Sequence, residues 1–415
     1  MPSFKFLHAA DLHLGTPFRG LAVKDAEIAD RFARATRTAF SNLVEKAIEE
    51  KVAFVVIAGD VYDGEWKDST IGLFFNREVA RLDRAGIPVF LLKGNHDAES
   101  VVTRAITLPE SVREFPTRKP ATFRLDDLRV ALHGQGFADR AASDNLAAAY
   151  PAPEPGWFNI GVLHTSLTGR PPHAPYAPCS PEELANRGYD YWALGHVHAF
   201  EIVSRDPAIV FPGNIQGRSI REIGEKGAVV VSVEDGRVAS IDRLLVDEAR
   251  WTSAAVDVTD AASLSDVLAA VQPVVEQAAE AAGGRLLALR LDLAGETELR
   301  RELVADRGRF VDEIQAACHR IHPDIWLEKL DVRGLRAPAS AARGDPASGL
   351  DLDALLGGLL DDPETREVAE AAIAEVAARM PGGLGAGEDP LGAAADELLA
   401  EAREVLMSRA ASRGG

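Results

Sequence analysis

Along the first half of the chain, short apolar, β-branched runs alternate with longer stretches whose apolar positions recur at helical spacing. The runs are Phe4–Leu7, Ala53–Ala58, Ile87–Leu92, Val130–Leu132, Ile160–Leu163 and Tyr191–Leu194. They are apolar throughout instead of alternating with polar residues, the mark of strands buried on both faces. Between the first two, Ile28, Phe32, Thr36, Phe40, Leu43 and Ile48 fall on one face of a helix predicted over Ala26–Glu50. The pattern predicts an α/β fold, with layers around a sheet covered on both sides.

Further on, strands are predicted at Gly227–Val233, Val238–Leu245 and Ala254–Val258, the first two separated by the turn signal Glu234-Asp235-Gly236. A helix (Ala262–Ala282), a strand (Arg285–Leu293), a helix (Arg307–Arg320) and a strand (Ile325–Val332) follow. This string reads as a small α+β domain appended to the first. Residues 334–349, rich in Ala, Pro, Gly, Ser and Arg, read as a linker. The helical tail after it carries one apolar stripe at Leu352, Leu355, Leu356, Leu359 and Leu360, and another at Val368, Ile373, Val376 and Met380. Such stripes either pack on their own domain or, past a linker, dock on a partner. The expected division is therefore 1–250 for the main domain, 251–333 for the appended domain, 334–349 for the linker and 350–415 for the tail.

Length agrees with that division, since 415 residues exceed what one core usually holds. The two cysteines, Cys179 and Cys318, are too far apart in sequence for a disulfide framework, and a reducing compartment is expected. MPSFKFLHAADLH lacks the pattern of a signal peptide, and no apolar run is long enough to span a bilayer, so the expectation is a cytoplasmic protein without membrane contact. The net charge of −19 argues against tight, unaided binding to nucleic acid, because affinity there comes largely from neutralised phosphates.

Chemistry enters at the strand ends. Five short motifs follow the apolar runs in order: Asp11-Leu12-His13, Gly59-Asp60-Val61-Tyr62-Asp63, Gly94-Asn95-His96-Asp97, His164-Thr165 and Gly195-His196-Val197-His198. Each supplies imidazole, carboxylate or amide oxygen, and none supplies thiolate, which is the donor set that two divalent cations a few ångströms apart require. Singly, each motif reads as an ordinary loop or core histidine. Their joint occurrence at successive strand ends makes a metal site.

The five motifs resemble those of the calcineurin-like metallophosphoesterases. Leu7-His8-Ala9-Ala10-Asp11-Leu12-His13-Leu14-Gly15 narrows the resemblance to DNA-repair exonucleases of the SbcD kind. Tyr176-Ala177-Pro178-Cys179-Ser180 and Pro212-Gly213-Asn214-Ile215-Gln216-Gly217-Arg218 look most like the YhaO branch. The resemblance implies a layered β-sandwich flanked by helices, with an α+β capping domain and a helical tail. It implies Asp11, His13 and His198 on one metal, Asn95, His164 and His196 on the other, and Asp60 as the bridge. It implies that His96 sits over the scissile phosphate without ligating, oriented by Asp63, where some relatives carry histidine. Two manganese ions, a DNA substrate, an SMC-like coiled-coil ATPase (SbcC or YhaN type) as partner, and dimerisation are further implications; the helix after His13 and Ser69–Arg81 are candidate surfaces for the last. Asp97 receives no role.

Other residues are weighed more plainly. His8 reads as a hydrogen-bonded core histidine, and His133 as either structural or a support to a ligand. His173 reads as solvent-facing, Cys179 as a structural thiol, and Cys318, His319 and His322 as a helix-end cluster without metal. Arg218–Lys226 is either a solvated loop or, through Arg218 and Arg221, a substrate phosphate contact. Three functions stay open: a DNA nuclease, a phosphoesterase for small nucleotides or phosphoproteins, and a non-catalytic DNA-end scaffold.

Overall fold

The computed structural model describes residues 2–15, 26–63, 69–97, 107–139, 143–168, 176–336 and 362–379, with isolated positions beyond. It divides into two compact units, residues 1–251 and 252–415.

The first unit contains two six-stranded sheets. One is ordered β12-β11-β1-β2-β3-β4 and uses β1 (Phe4–Ala9), β2 (Phe54–Ala58), β3 (Val89–Leu92), β4 (Val112–Glu114), β11 (Gly227–Glu234) and β12 (Arg237–Leu245). The other is ordered β5-β6-β7-β8-β10-β9 and uses β5 (Ala121–Leu125), β6 (Val130–Gly134), β7 (Phe158–His164), β8 (Tyr191–Gly195), β9 (Glu201–Arg205) and β10 (Ala208–Phe211). The neighbours β1, β2 and β3 run parallel, as do β6, β7, β8 and β10.

Side-chain alternation explains why the apolar runs are unbroken. Phe6, Phe54, Val56 and Phe90 face the opposite sheet, where they meet Phe158, Ile160, Val162, Tyr191 and Ala193. Leu7, Ala9, Val55 and Ile57 point the other way, onto helices α1 (Ala26–Glu49) and α2 (Ser69–Arg84) through Phe40, Leu43, Phe75 and Val79. The outer face of the second sheet is covered by Tyr150, Leu184 and Tyr189 against Leu163, Trp192 and Leu194. The apolar pattern by itself predicted one sheet covered on both sides; there are two, packed face to face, the layered β-sandwich that the resemblance implied. A strand buried on both faces has the same sequence pattern whether a helix or a second sheet covers it.

Between β11 and β12, Asp235 and Gly236 both take positive φ (49° and 75°), the backbone of a tight two-residue hairpin. Strands β4, β5, β9 and β10 and the one-turn helix α3 (Pro181–Ala185) go beyond the sequence pattern. Most of the residues of β4, β5 and β9 are only half buried, so their apolar signal is weak.

The second unit has a three-stranded sheet, β13-β14-β15, built from β13 (Ala249–Asp257), which enters it from the first unit, β14 (Leu286–Glu296) and β15 (Ile325–Arg336). Helices α4 (Leu264–Ala282), α5 (Arg300–Ala305) and α6 (Arg307–Ile321) contribute Val267, Val271, Val275, Leu303, Phe310 and Ile314 to a core with Leu287, Leu289 and Leu291. Ser263 caps the start of α4, and Gly283, in left-handed conformation, ends it. Helix α7 (Pro363–Arg379) follows. The expected linker lies almost wholly outside the described residues, as do Leu352, Leu355, Leu356, Leu360 and Met380. Among the described stripe residues, Leu359, Val368 and Val376 are exposed. Among the described residues, no helix is long and apolar enough to cross a membrane.

Candidate metal centre

The five motifs leave the carboxyl ends of β1, β2, β3, β7 and β8, where the two sheets bring them together. The loops after β1 and β2 run side by side: Asp11 N donates to Gly59 O at 3.0 Å, His13 N to Asp60 O at 2.9 Å and Leu14 N to Val61 O at 2.8 Å. Asp11, His13, Asp60 and His196 all take positive φ, a strained choice for residues with a Cβ that turns the chain sharply at each strand end. Glycine makes the close approach tolerable. A Cβ on Gly195 would lie 2.0 Å from Ala58 O, and one on Gly59 would lie 2.4 Å from His164 Nδ1.

Three overlapping groups result, each with its donor atoms within 4.8 Å of one another: Asp11, His13 and His198; His13, Asp60 and His96; and Asp60, His164 and His196. Asp60 belongs to two of them, the position a bridging carboxylate occupies. Asn95 Oδ1 joins the third group, 3.0 Å from His164 Nε2. At the other end, His13 Nε2 and His198 Nε2 stand 3.1 Å apart.

Three of the donors are fixed from behind. His164 Nδ1 donates to Ala58 O at 2.9 Å, which turns Nε2 toward Asp60. Asp11 accepts the backbone N–H of His196 with both carboxylate oxygens, and Asp60 Oδ1 accepts that of His96 at 2.9 Å.

Charge shows what the donors demand. Burial alone would pull the His164 imidazole down, yet the Asp60 carboxylate beside it more than reverses this and holds it at about 9. Burial pushes the Asp11 carboxyl up, and the nearby Asp60 charge adds to that push. Two buried carboxylates thus make a pocket that calls for positive charge, and a set of oxygen and nitrogen donors without thiolate fits divalent cations.

His96 is placed differently. Its Nδ1 lies 2.8 Å from Asp63 Oδ1, and its side chain is 30% exposed while those of His13 and His164 are buried. Burial lowers its pKa, but the hydrogen bond to Asp63 and the charges of Asp60 and Asp63 together outweigh burial, and the group sits above the usual histidine value.

Two residues acquire structural explanations that the sequence did not supply. Asp97 accepts the backbone N–H groups of Val61 (3.1 Å), Tyr62 (2.9 Å) and Gly94 (3.1 Å), so one carboxylate clamps the loop after β2 to the loop after β3. Burial, then the Asp60 charge, pushes it up to about 7. Asp97→Ala leaves three buried donors without that partner and is expected to destabilise the protein by about 2–4 kcal/mol. Urea unfolding measures this, and a loss below about 0.5 kcal/mol would show that the loops hold their register without the clamp. The second residue is Glu222, which sits beside His198 and belongs to no motif.

Arg218, expected as a substrate contact, binds Glu222 through Nε and Nη2 at 3.2 and 2.7 Å, and its Nη1 stands 3.7 Å from Asp63. Arg221 is exposed, and its backbone N–H meets Ser219 Oγ at 3.4 Å. The reading of this stretch as a solvated loop does not hold for Glu222, whose side chain is 12% exposed.

His8 is the core histidine expected, bound to Tyr191 Oη and Leu194 O, with burial holding it at about 3. His133 lies between Thr122 Oγ1 and Asn159 Oδ1, a structural placement. Cys179 is buried beside Thr165, and burial raises its thiol to about 11, well away from a nucleophile. Cys318 is buried, while His319 and His322 are exposed and bonded to Gln315 and the Asp324 N–H. His173 lies outside the described residues.

With this geometry in hand, comparison with known proteins is specific. Residues 4–200 match the calcineurin-like phosphoesterase profile, and residues 251–334 match that of the middle domain of metallophosphoesterase YhaO. The chain is 32% identical over 372 residues to the uncharacterized metallophosphoesterase YhaO of Bacillus subtilis, covering 88% of each. It is 26% identical over 263 residues to the DNA double-strand break repair protein Mre11 of Sulfurisphaera tokodaii, covering 60% of this chain and 64% of that one. Against the protein of the same name from Methanopyrus kandleri it is 28% identical over 249 residues, covering 54% and 51%.

Proposed function

The chain belongs to the calcineurin-like metallophosphoesterases, and from that premise we propose that it is a manganese-dependent nuclease that hydrolyses the phosphodiester backbone of DNA. The observation that carries the reading is the shared Asp60 between two donor groups, with a half-open histidine, His96, beside them. Asp11, His13 and His198 would hold one ion, Asn95, His164 and His196 the other, and Asp60 both. Two divalent cations held there would supply activation of a water and neutralisation of phosphate oxygens. His96 keeps its proton above the usual range through Asp63 and delivers it to the leaving oxygen. DNA as the polymer cut is supported by the two relatives named for double-strand break repair and by the second unit.

Incubation of the full chain and Mn2+ with end-labelled duplex DNA, single-stranded DNA and an aryl phosphodiester tests this. Degradation of labelled DNA at low ionic strength, stopped by EDTA, is expected. Turnover of the aryl ester with both DNAs intact would move the reading to small phosphoesters.

An SMC-like ATPase as partner is part of the proposal. A chain of net charge −19 grips few phosphates by itself, and Val368 and Val376 of α7 are exposed. Deleting the residues after Gly349 is expected to spare aryl phosphodiester hydrolysis, since every proposed ligand precedes Ala199, and to abolish co-purification of the ATPase and ATP-stimulated cutting. A truncated chain that unfolds, or still retains the ATPase, would place the partner elsewhere.

A further inference from the structure

His198 is the last proposed ligand in the chain and, with a side chain 28% exposed, it is much less enclosed than His13 or His164. What fixes its ring is therefore a separate question from burial. Its Nδ1 lies 2.7 Å from Glu222 Oε1, the shortest polar contact given for the ring. Glu222 Oε1 also takes Arg218 Nη2 at 2.7 Å, while Oε2 takes Asn214 Nδ2 at 2.9 Å, Arg218 N at 2.8 Å and Arg218 Nε at 3.2 Å. Five donors on one carboxylate leave it no freedom to rotate.

With four other donors on its two oxygens, the Glu222 carboxylate only accepts, so the 2.7 Å contact requires the proton on His198 Nδ1. A protonated Nδ1 cannot also accept from Arg218 Nη2, and that 3.2 Å approach is a neighbour contact. Nε2 is then left as the donor atom that faces His13 and Asp11. The carboxylate thus selects both the ring orientation and the tautomer that a metal ligand needs.

Arg218 extends the arrangement. Its Nη1 stands 3.7 Å from Asp63 Oδ2, and Asp63 Oδ1 is the partner of His96 Nδ1. His198, Glu222, Arg218, Asp63 and His96 therefore form one line of alternating charge and imidazole. It joins a histidine of the metal centre to the histidine assigned to the leaving group.

We propose that Glu222 and Arg218 are positioning residues that hold His198 as a ligand and lock Asp63, and through it His96, in register with the metal centre. Neither touches the reacting atoms. The consequence for turnover rests on the two-metal reading above, whereas the placement of the His198 proton does not.

The first measurement is made on the metal-free full chain labelled with 15N at histidine. The His198 Nδ1–H signal, assigned by its loss in His198→Asn, should be present in the natural chain and absent in Glu222→Ala. Glu222→Gln is closest in shape and keeps an acceptor for Nδ1, but it puts an amide where three donors point, so a weakened signal is expected. The second measurement titrates Mn2+ into the same proteins and follows free Mn2+ by its paramagnetic resonance. Glu222→Ala should weaken one binding step about 10–100-fold, with Glu222→Gln between it and the natural chain. An unchanged His198 proton in folded Glu222→Ala would overturn the brace.

The third separates Arg218 as a positioning group from Arg218 as a phosphate contact. With the aryl phosphodiester, Arg218→Ala should lower kcat about 10-fold with KM nearly constant. A rise in KM at constant kcat would make Arg218 a substrate contact and overturn its part in the line.

Discussion

Asp60→Ala is expected to reduce hydrolysis of any phosphodiester to background and to strip bound metal from the chain. Asp60 is the carboxylate that belongs to two donor groups, one with His164 and His196 and another with His13 and His96. Its carboxylate is also the charge that holds His164 at about 9, and it anchors the His96 backbone through Oδ1. Removing it takes away one of two buried carboxylates whose charge would hold cations there. Loss of fold is the competing explanation, and Asp60→Asn addresses it. The amide can keep the acceptor for the His96 N–H while losing the charge, so metal should be lost in Asn as in Ala, with far-ultraviolet circular dichroism unchanged. Elemental analysis of the purified proteins decides the matter. Full activity and normal metal content in Asp60→Ala would remove the two-metal reading.

His96→Ser should produce the opposite separation, with metal retained and chemistry lost. His96 lies at the edge of the cluster, part exposed, with Nδ1 committed to Asp63 at 2.8 Å. That hydrogen bond leaves the other ring nitrogen to act on substrate, and with the Asp60 and Asp63 charges it holds the group above the usual histidine value. A positioned acid of this kind contributes roughly 100-fold or more to turnover, and that is the expected fall in kcat. Because His96 also falls within one of the three donor groups, metal content is the discriminating readout. Two ions bound in a folded, slow His96→Ser protein would support the acid role. Loss of metal would make His96 a ligand and require a different group at the leaving oxygen.

The line from His198 through Arg218 to His96 bears on both expectations. If Arg218 couples the two ends, a variant at one end should alter the other by more than simple addition allows, as for residues sharing one hydrogen-bond network.

Much of this was legible in the chain itself. The six apolar runs became β1, β2, β3, β6, β7 and β8, and the helix read from Ile28, Phe32, Phe40 and Leu43 runs from Ala26 to Glu49. Backbone periodicity and strand-end polarity are local properties, so a local pattern reports them. That Asp11, His13, Asp60, Asn95, His164, His196 and His198 stand at successive strand ends was legible for the same reason. Each sits one to six residues past an apolar run, and side-chain type alone restricts what such a group can bind.

Tertiary structure decided the rest. That a second sheet, and not a helix layer, covers Phe6 and Phe54 follows from pairing across the fold, to which the composition of a buried strand is indifferent. Asp97 looked like one more polar loop residue until three backbone N–H groups from two loops converged on it. Glu222 lay in a stretch whose Arg, Glu and Lys suggest a solvated surface, yet the fold carries it under His198, 24 residues back in the chain. A sequence fixes which donors and acceptors exist. Which of them face each other inside a low-dielectric pocket, where a hydrogen bond selects a tautomer and a charge moves a pKa, depends on distances that only the packed chain sets.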